Sequence, residues 1–358
     1  MFSLSVCMIV KNEEKVISRV LNCVKSFADE IIIVDTGSQD NTIEIAKQFT
    51  NNIFNFRWEN DFSAARNYSF SKATKDYIMW LDADDVITKR NIEKIKKLKK
   101  QNIDADAFML KYVMGFNSDN KPTFIFYRER ILKRSCNFVW QGFIHETVSV
   151  SGKIEYLDIE IEHRKIEYKD EKRNLKIYRI ALRNNKIFNA REIYYYAREL
   201  YYNAYYSSCI KNMKRFLKMQ DKFLPDIIGA NLIIADCYII KKQYRNALNC
   251  MFKFLKNYAP TPEVCCMIGA IYNAMNNYTL SVFWFKSAIV CDENKQGFVR
   301  SEFRNIIPNL ELTKIYYLLG DIASSYYHHK KCVELQPKNE SVLHNQKFFD
   351  NYLKENKI

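Results

Sequence analysis

No uncharged stretch of the 358-residue chain approaches the roughly 20 residues that a membrane-crossing helix requires, so a soluble protein is expected. The opening stretch MFSLSVCMIVKNEE has a short apolar run but neither a basic leader nor a small-residue cleavage site. It reads as a first strand and not as a signal peptide. No G-x-G-x-x-G or G-x-x-x-x-G-K-[ST] loop follows any apolar run, which argues against a dinucleotide-binding domain and a P-loop NTPase. The ten cysteines include no C-x-x-C pair and sit mostly within apolar patterns, as reduced thiols of a cytoplasmic protein do. No nucleic-acid-reading motif is present, and net charge alone does not make a nucleic-acid binder.

What is there suits two folded domains. Hydrophobic residues make up 48% of the chain and aromatic residues 15%, enough to fill more than one core. Charge is unevenly divided: residues 1–165 hold 25 Lys and Arg against 23 Asp and Glu, whereas the remainder holds 30 against 18. The positive field therefore belongs to the C-terminal half, where solubility is a sufficient explanation and an acidic partner or an anionic membrane surface is the alternative.

The two halves differ in period. In the first, strand and helix signals alternate: Leu4 to Val10, then a helical spacing over Glu13 to Phe27; EIIIVD at Glu30 to Asp35, then Asn41 to Phe49; Asn52 to Phe56, then Ser63 to Ala73; and Tyr77 to Leu81. Such alternation predicts a mainly parallel sheet with right-handed crossovers, whose ligands sit beyond the carboxyl ends of the strands. Asn12 to Glu14, Asp35 and Asp82 to Asp85 each follow a strand and are expected to gather on one edge.

The second half has a helical period of 34 residues: Tyr238 and Tyr272, Tyr244 and Tyr278, and Ala235 and Gly269 are each separated by that number. This is the period of the tetratricopeptide repeat. A later copy lies at TKIYYLLGDIASSYYHHKKCVELQP after an insertion around DENKQGFVRSEFRN, and a weaker one at Ile193 to Lys218, giving four copies that can stack. The expected division is residues 1–165, a helical linker at 166–190, and repeats at 191–358.

Within YIMWLDADD, three carboxylates fall within four positions after an apolar strand. Like charges so close repel, and something positive must compensate; an Asp-rich turn is the plainer reading. Asp82 and Asp84, two residues apart on an extended segment, present oxygen ligands that suit Mg²⁺ or Mn²⁺ while leaving places for waters and phosphate oxygens. An ion there would favour cleavage of a bond to a nucleoside diphosphate.

SVCMIVKNEE, DEIIIVDTGSQDNT, FSAARNYSF and YIMWLDADD, in this order, resemble the N-terminal domain of family 2 glycosyltransferases of the GT-A fold, over about residues 3 to 165. Trp140, Gly142, His145 and Glu146, spaced W-x-G-x-x-H-E and followed by tetratricopeptide-like helices, further resemble a subgroup that includes peptide S-glycosyltransferases of glycocin synthesis and some surface-glycan glucosyltransferases. The resemblance implies an α/β GT-A domain followed by an all-α repeat domain, and transfer of a hexose from UDP-glucose or UDP-N-acetylglucosamine. Val10, Asn12 and Glu14 would cup the uracil. Asp35 would bond base or ribose, Arg66 the diphosphate or base, and Asp82 the ribose. Asp82, Asp84 and His145 would hold the metal, with a role as base the alternative for His145. Glu146, or Asp85, would take the acceptor's proton, a modest task if the acceptor is a thiol.

Lys11 stands where several relatives carry an aromatic residue. There is no E-D motif of the polysaccharide synthases, so a processive synthase is not expected. An inverting enzyme acting on a Cys or Ser of a peptide or protein is the expectation, with repeats that can also mediate a homodimer. A surface-glycan or lipid-linked acceptor, with at most peripheral membrane contact, and a non-catalytic repeat scaffold are the alternatives.

Overall fold

The computed structural model describes residues 1–101, 103–116, 120, 122–166, 172–220, 222–292 and 300–356, the side chains of 355 and 356 excepted. Parts of the expected linker at 166–190 and of the insertion around residues 292–305 lie outside the described residues. The chain divides into two compact units, Met1–Gly115 with Ile125–Asn184, and Phe116–Phe124 with Asn185–Ile358.

The first unit runs β1 (Leu4–Val10), α1 (Ile17–Val24), β2 (Glu30–Asp35), α2 (Thr42–Ala46), β3 (Ile53–Asn55), α3 (Phe62–Ser71), β4 (Tyr77–Trp80), β5 (Asp85–Val86), α4 (Lys89–Lys100), β6 (Ala107–Phe116), β7 (Pro122–Lys133), β8 (Trp140–Gln141), β9 (Thr147–Val148), β10 (Ile154–His163) and α5 (Arg173–Arg183). Eight strands form one sheet in the order β3-β2-β1-β4-β7-β6-β10-β5, while β8 and β9 pair separately. β1 is parallel to both β2 and β4, with Val10 beside Asp35 and Cys7 beside Trp80. The carboxyl ends of β1, β2 and β4 therefore meet on one edge, as parallel strands linked by helical crossovers require.

Alternation along β1 explains why both sheet faces are covered. Leu4, Val6, Met8 and Val10 pack with Ile17, Val20 and Leu21 of α1 and Ile95 and Leu98 of α4. Cys7 points the other way, with Ile32, Val34 and Ile78, toward Tyr68 and Phe70 of α3. Strands buried on both faces read as continuous apolar runs, as LSVCMIV and EIIIVD do. Helix α1 is shorter than the helical spacing over Glu13 to Phe27 predicted. Residues 13 and 14 instead join the loop after β2, the Glu13 N–H donating to Thr42 Oγ1 (2.7 Å) and the Glu14 N–H to Asp40 Oδ2 (3.2 Å).

The second unit contains four antiparallel helix pairs among the described residues: α6 (Ala190–Tyr202) with α7 (Tyr206–Lys218), α8 (Leu224–Ile240) with α9 (Tyr244–Leu255), α10 (Pro262–Ala274) with α11 (Tyr278–Val290), and α12 (Ile306–Leu318) with α13 (Ile322–Leu335), followed by α14 (Glu340–Asn356). The tyrosines 34 residues apart fall at equivalent places: Tyr244 and Tyr278 begin the second helices. Tyr238 and Tyr272 lend their carbonyls to the turns, accepting from Gln243 N and Asn277 N at 2.8 and 2.9 Å. Position 269 must be small because a Cβ there would sit 3.0 Å from the Phe285 ring.

Each pair turns through one left-handed residue, Ala204 (φ 62°), Lys242 (φ 56°), Asn276 (φ 57°) or Gly320 (φ 77°). In all four turns the next N–H returns to the carbonyl five residues back, which is the Schellman closure of a helix end. A Cβ in that backbone region is strained. Ala204→Gly and Lys242→Gly are each expected to stabilise the helical unit by up to about 1 kcal/mol, and Gly320→Ala to destabilise it by about as much. Urea denaturation followed by circular dichroism checks this.

Candidate active site

Asp61 caps α3, its Oδ1 accepting from the Ala64 N–H at 3.0 Å. The helix carries Arg66 and Asn67 inward. Asn67 brackets the Trp140 peptide, its Nδ2 donating to Trp140 O (3.0 Å) and its Oδ1 accepting from Trp140 N (2.8 Å). This pins the β8–β9 hairpin to α3. Between the two short strands Gly142 (φ 90°) and His145 (φ 52°) turn the backbone, and Glu146 follows.

The guanidinium of Arg66 lies 5.0 Å from the centre of the Trp80 ring and 4.9 Å from that of Trp140. Its Nε donates to Glu146 Oε1 (2.7 Å) and its Nη2 to Asp82 Oδ1 (2.8 Å). Burial works against the Arg66 cation, but the charges of Asp82 and Glu146 outweigh it and push its pKa up. Burial likewise works against the Asp82 carboxylate. Arg66 and Arg130, with His163, offset this and hold it well below the usual carboxylate range.

Asp85 is fully buried. Its Oδ2 pairs with Arg130 Nη1 (3.2 Å) and accepts from the Asp82 N–H (3.0 Å), while its Oδ1 accepts from Tyr112 Oη (2.9 Å). Arg130, also fully buried, stacks on Trp80 at 3.7 Å and on Tyr112 at 4.1 Å. Burial and the Asp85 charge push the Tyr112 phenol well above its ordinary value, so it stays a neutral donor. The expectation that Asp85 takes an acceptor's proton is therefore corrected: the side chain has no exposure, and its oxygens hold Arg130, Tyr112 and the Asp82 peptide.

Of the expected metal ligands, Asp84 belongs to a close group of ligand atoms among the described residues, and Asp82 and His145 are not grouped with it. Ligand atoms of Asp84, Asp85 and His163 lie within 4.8 Å of one another, which makes them a group able to hold an ion. His163 ends β10, and its antiparallel pairing with Asp85 of β5 brings the imidazole beside the acidic turn. Its Nδ1 is 3.2 Å from Asp84 Oδ1 and 3.5 Å from Asp85 Oδ1. His145 belongs to the β8–β9 loop, and the Asp82 carboxylate is engaged by Arg66. The backbone around Asp84 is fixed from outside, its carbonyl accepting from Arg19 Nη2 and Arg164 N, both at 3.0 Å.

The two loops on the other side of the edge are stitched together. Asp35 Oδ2 accepts from the Gly37 and Ser38 N–H groups at 3.1 Å. The Asn12 N–H donates to Ser38 Oγ (3.0 Å) and Asn12 Oδ1 accepts from Gln39 N (2.7 Å). Glu14 Oε2 accepts from Asn41 N and Nδ2 at 3.1 and 3.0 Å, so it ties the loops together. The Val10 side chain is buried, and its carbonyl accepts from Thr36 N and Oγ1 at 3.0 and 3.1 Å.

Sequence reasoning missed Asn67, Tyr112, Arg130 and His163. Arg130 carried a signal: in YRERILK, period-two alternation puts it on the same face as the buried Leu132, where a charge is out of place unless paired. His163 closes an alternating strand, IEYLDIEIEH, with no local mark of its destination.

An acidic turn and two polar loops at the carboxyl ends of parallel strands define an α/β ligand-binding domain. Residues 5–150 match the model for Glycosyl transferase family 2. The chain is 41% identical over 95 residues to the SPbeta prophage-derived glycosyltransferase SunS of Bacillus subtilis, 26% of this chain and 22% of that protein. It is 45% identical over 85 residues to a TPR repeat-containing protein of Synechococcus elongatus, 24% of this chain and 21% of that one. An uncharacterized glycosyltransferase of Rickettsia felis is 31% identical over 124 residues, 34% of this chain and 44% of the relative. The chain thus spans less than half the length of these curated relatives. Among solved structures, S. aureus TarS 1-349 in complex with UDP-GlcNAc aligns over 93% of this chain and 92% of that one, at 14% identity and a TM-score of 0.37. Among the described residues no helix is long and apolar enough to cross a membrane.

Two outcomes follow from the buried cluster. Asp85→Asn leaves Arg130 uncompensated and is expected to destabilise the domain by about 3 kcal/mol or more, whereas Asp84→Asn, partly exposed, costs about 1 kcal/mol or less; chemical denaturation compares them. His163 is opposed by burial but pushed up to about 10 by Asp84 and Asp85. Its contribution is fully present below the unfolded value near 6.5 and is lost as pH rises through about 10. In EDTA, the melting temperature is expected to fall between pH 7 and 10 more steeply for the wild type than for His163→Asn.

Proposed function

We propose that the chain is an inverting glycosyltransferase that moves a hexose from a UDP-sugar to a peptide or protein acceptor. The observation that carries this reading is the convergence at one sheet edge of the acidic turn, the Asp35 loop and Glu146 within a family 2 domain. Asp35 and Asn12, on loops already fixed to each other, suit the uracil and ribose, whose N–H and O–H groups are donors.

The donor set of Asp84 and His163 fits a divalent ion of the Mg²⁺ or Mn²⁺ class, two side chains leaving other positions for water and phosphate. Bound there, the ion would supply Lewis-acid neutralisation of the departing diphosphate. Asp85 and Arg130 keep the turn in shape from behind. Glu146, one oxygen bonded to Arg66 and the side chain 13% exposed, is the group to accept the acceptor's proton on the face opposite the diphosphate. The stacked helix pairs of the second unit support a polypeptide acceptor, since such repeats offer extended surfaces.

The test is UDP-sugar hydrolysis with Mn²⁺, run with UDP-glucose and UDP-N-acetylglucosamine. Asp84→Ala is expected to abolish the Mn²⁺-dependent reaction, and Glu146→Gln to lower kcat by about 100-fold or more while UDP still binds. Normal folding with no turnover by the wild type on either donor would favour the scaffold reading.

A further inference from the structure

We infer that Arg19 is a positioning residue for the divalent ion: from α1 it clips the backbone of the acidic turn to the end of β10, and so holds Asp84 and His163 together as ligands. This rests on the functional reading above, in which those two side chains take the ion.

Asp84 and His163 come from distant parts of the chain, and the sheet by itself joins their segments only briefly. β5 pairs with β10 at two positions, Val86 with Glu162 and Asp85 with His163, whereas β1 pairs with β2 at six. So short a ladder is marginal alone. Arg19 closes it, its Nη2 donating to Asp84 O at 3.0 Å and to Arg164 O at 2.8 Å, while the Arg164 N–H also donates to Asp84 O at 3.0 Å. One nitrogen thus bridges the carbonyl of one ligand residue and that of the residue next to the other. Four residues further along α1, on the same face, Cys23 Sγ reaches Ile87 O at 3.5 Å, so the helix touches the segment carrying β5 on both sides of that strand.

Arg66 and Arg130 meet the turn through the carboxylates of Asp82 and Asp85. Arg19 meets it through peptide oxygens. The side chains of Asp84 and His163 are each 19% accessible and lie 3.2 Å apart at their nearest ligand atoms. The clip therefore fixes the two backbones without occupying those atoms. Its Nε is buried with no acceptor among the described residues, a cost that the Nη2 bridge must offset. A cation in the same turn also repels a metal ion, so charge alone would make Arg19 unfavourable there. Orientation works in the opposite direction, since groups that hold metal ligands from outside typically carry about 10- to 100-fold in affinity.

The two effects predict opposite signs, and the Mn²⁺ affinity of the full chain separates them. With free Mn²⁺ followed by electron paramagnetic resonance, in the presence and absence of UDP, Arg19→Met is expected to raise the Kd for Mn²⁺ by about 10-fold or more. Arg19→Lys, which keeps the charge but not the planar fork, is expected to raise it less. A role in stability alone gives a lower melting temperature in EDTA with the Mn²⁺ Kd of the folded protein unchanged, and a role through charge alone gives tighter binding. Either result overturns the inference. Should Arg19→Met fail to fold, Arg19→Gln, neutral and too short for the bridge, decides by the same Kd. A wild type that binds no Mn²⁺, or Mn²⁺ binding that survives Asp84→Ala, sinks the functional reading on its own account. The clip is then judged from a crystal structure of Arg19→Met or Arg19→Gln: His163 Nδ1 still 3.2 Å from Asp84 Oδ1 contradicts the positioning role, and a widened separation supports it.

Discussion

Three carboxylates within one turn constrain everything around them. Asp82, Asp84 and Asp85 cannot lie together at the end of a buried strand unless positive charge reaches each of them, and in this fold it comes from four different places in the chain. Arg66 on α3 pairs with Asp82, Arg130 on β7 with Asp85, and His163 at the end of β10 stands beside Asp84 and Asp85, while Arg19 on α1 secures the Asp84 carbonyl. The sheet order β4-β7-β6-β10-β5 brings those strands within reach of the turn that follows β4. A cluster that would be repulsive by itself becomes the point at which helix and strands are tied together.

The arrangement divides the three acids by environment. Asp85, without exposure and surrounded by donors, is an internal counter-ion that shapes the turn. Asp82 faces Arg66 and, through it, Glu146. Asp84 shares its partly exposed surroundings with His163, each side chain 19% accessible, and so presents a side chain that can exchange a protein partner for an outside one. Similar residues thus take different roles from burial and neighbours, as ionisable groups in sites commonly do. The aromatic pair Trp80 and Trp140 supports this division, since the same Trp80 ring is stacked by both Arg66 and Arg130.

Much of the fold was legible in the sequence, because it rests on local periodicities. Apolar runs such as Glu30 to Asp35 and the helical spacings between them specify a parallel sheet, and the 34-residue recurrence of Tyr238, Tyr244 and Ala235 specifies stacked helix pairs. The gathering of Asn12, Asp35 and Asp82 at one edge followed from topology alone. What was not legible depended on side chains meeting from distant segments. His145 sits beside Glu146 in sequence, yet His163 is the histidine that reaches the acidic turn, through an antiparallel pairing that no spacing rule gives. Asp85 looked like Asp84 until Arg130 and Tyr112, 45 and 27 residues further on, took its oxygens. Glu14 ties the loop after β1 to the loop after β2, and Val10, the last residue of β1, is buried; neither duty is marked by the local sequence.

In the proposed function this acidic edge is completed from outside by a divalent ion and a sugar nucleotide. Crystals grown with UDP and Mn²⁺ test it most directly. An ion bonded to Asp84 and His163 and a nucleotide lying along the Asn12 and Asp35 loops are expected, with Asp85 still paired to Arg130. An ion and nucleotide absent at saturating concentration, or bound elsewhere while His163 keeps its place against Asp84, would contradict it.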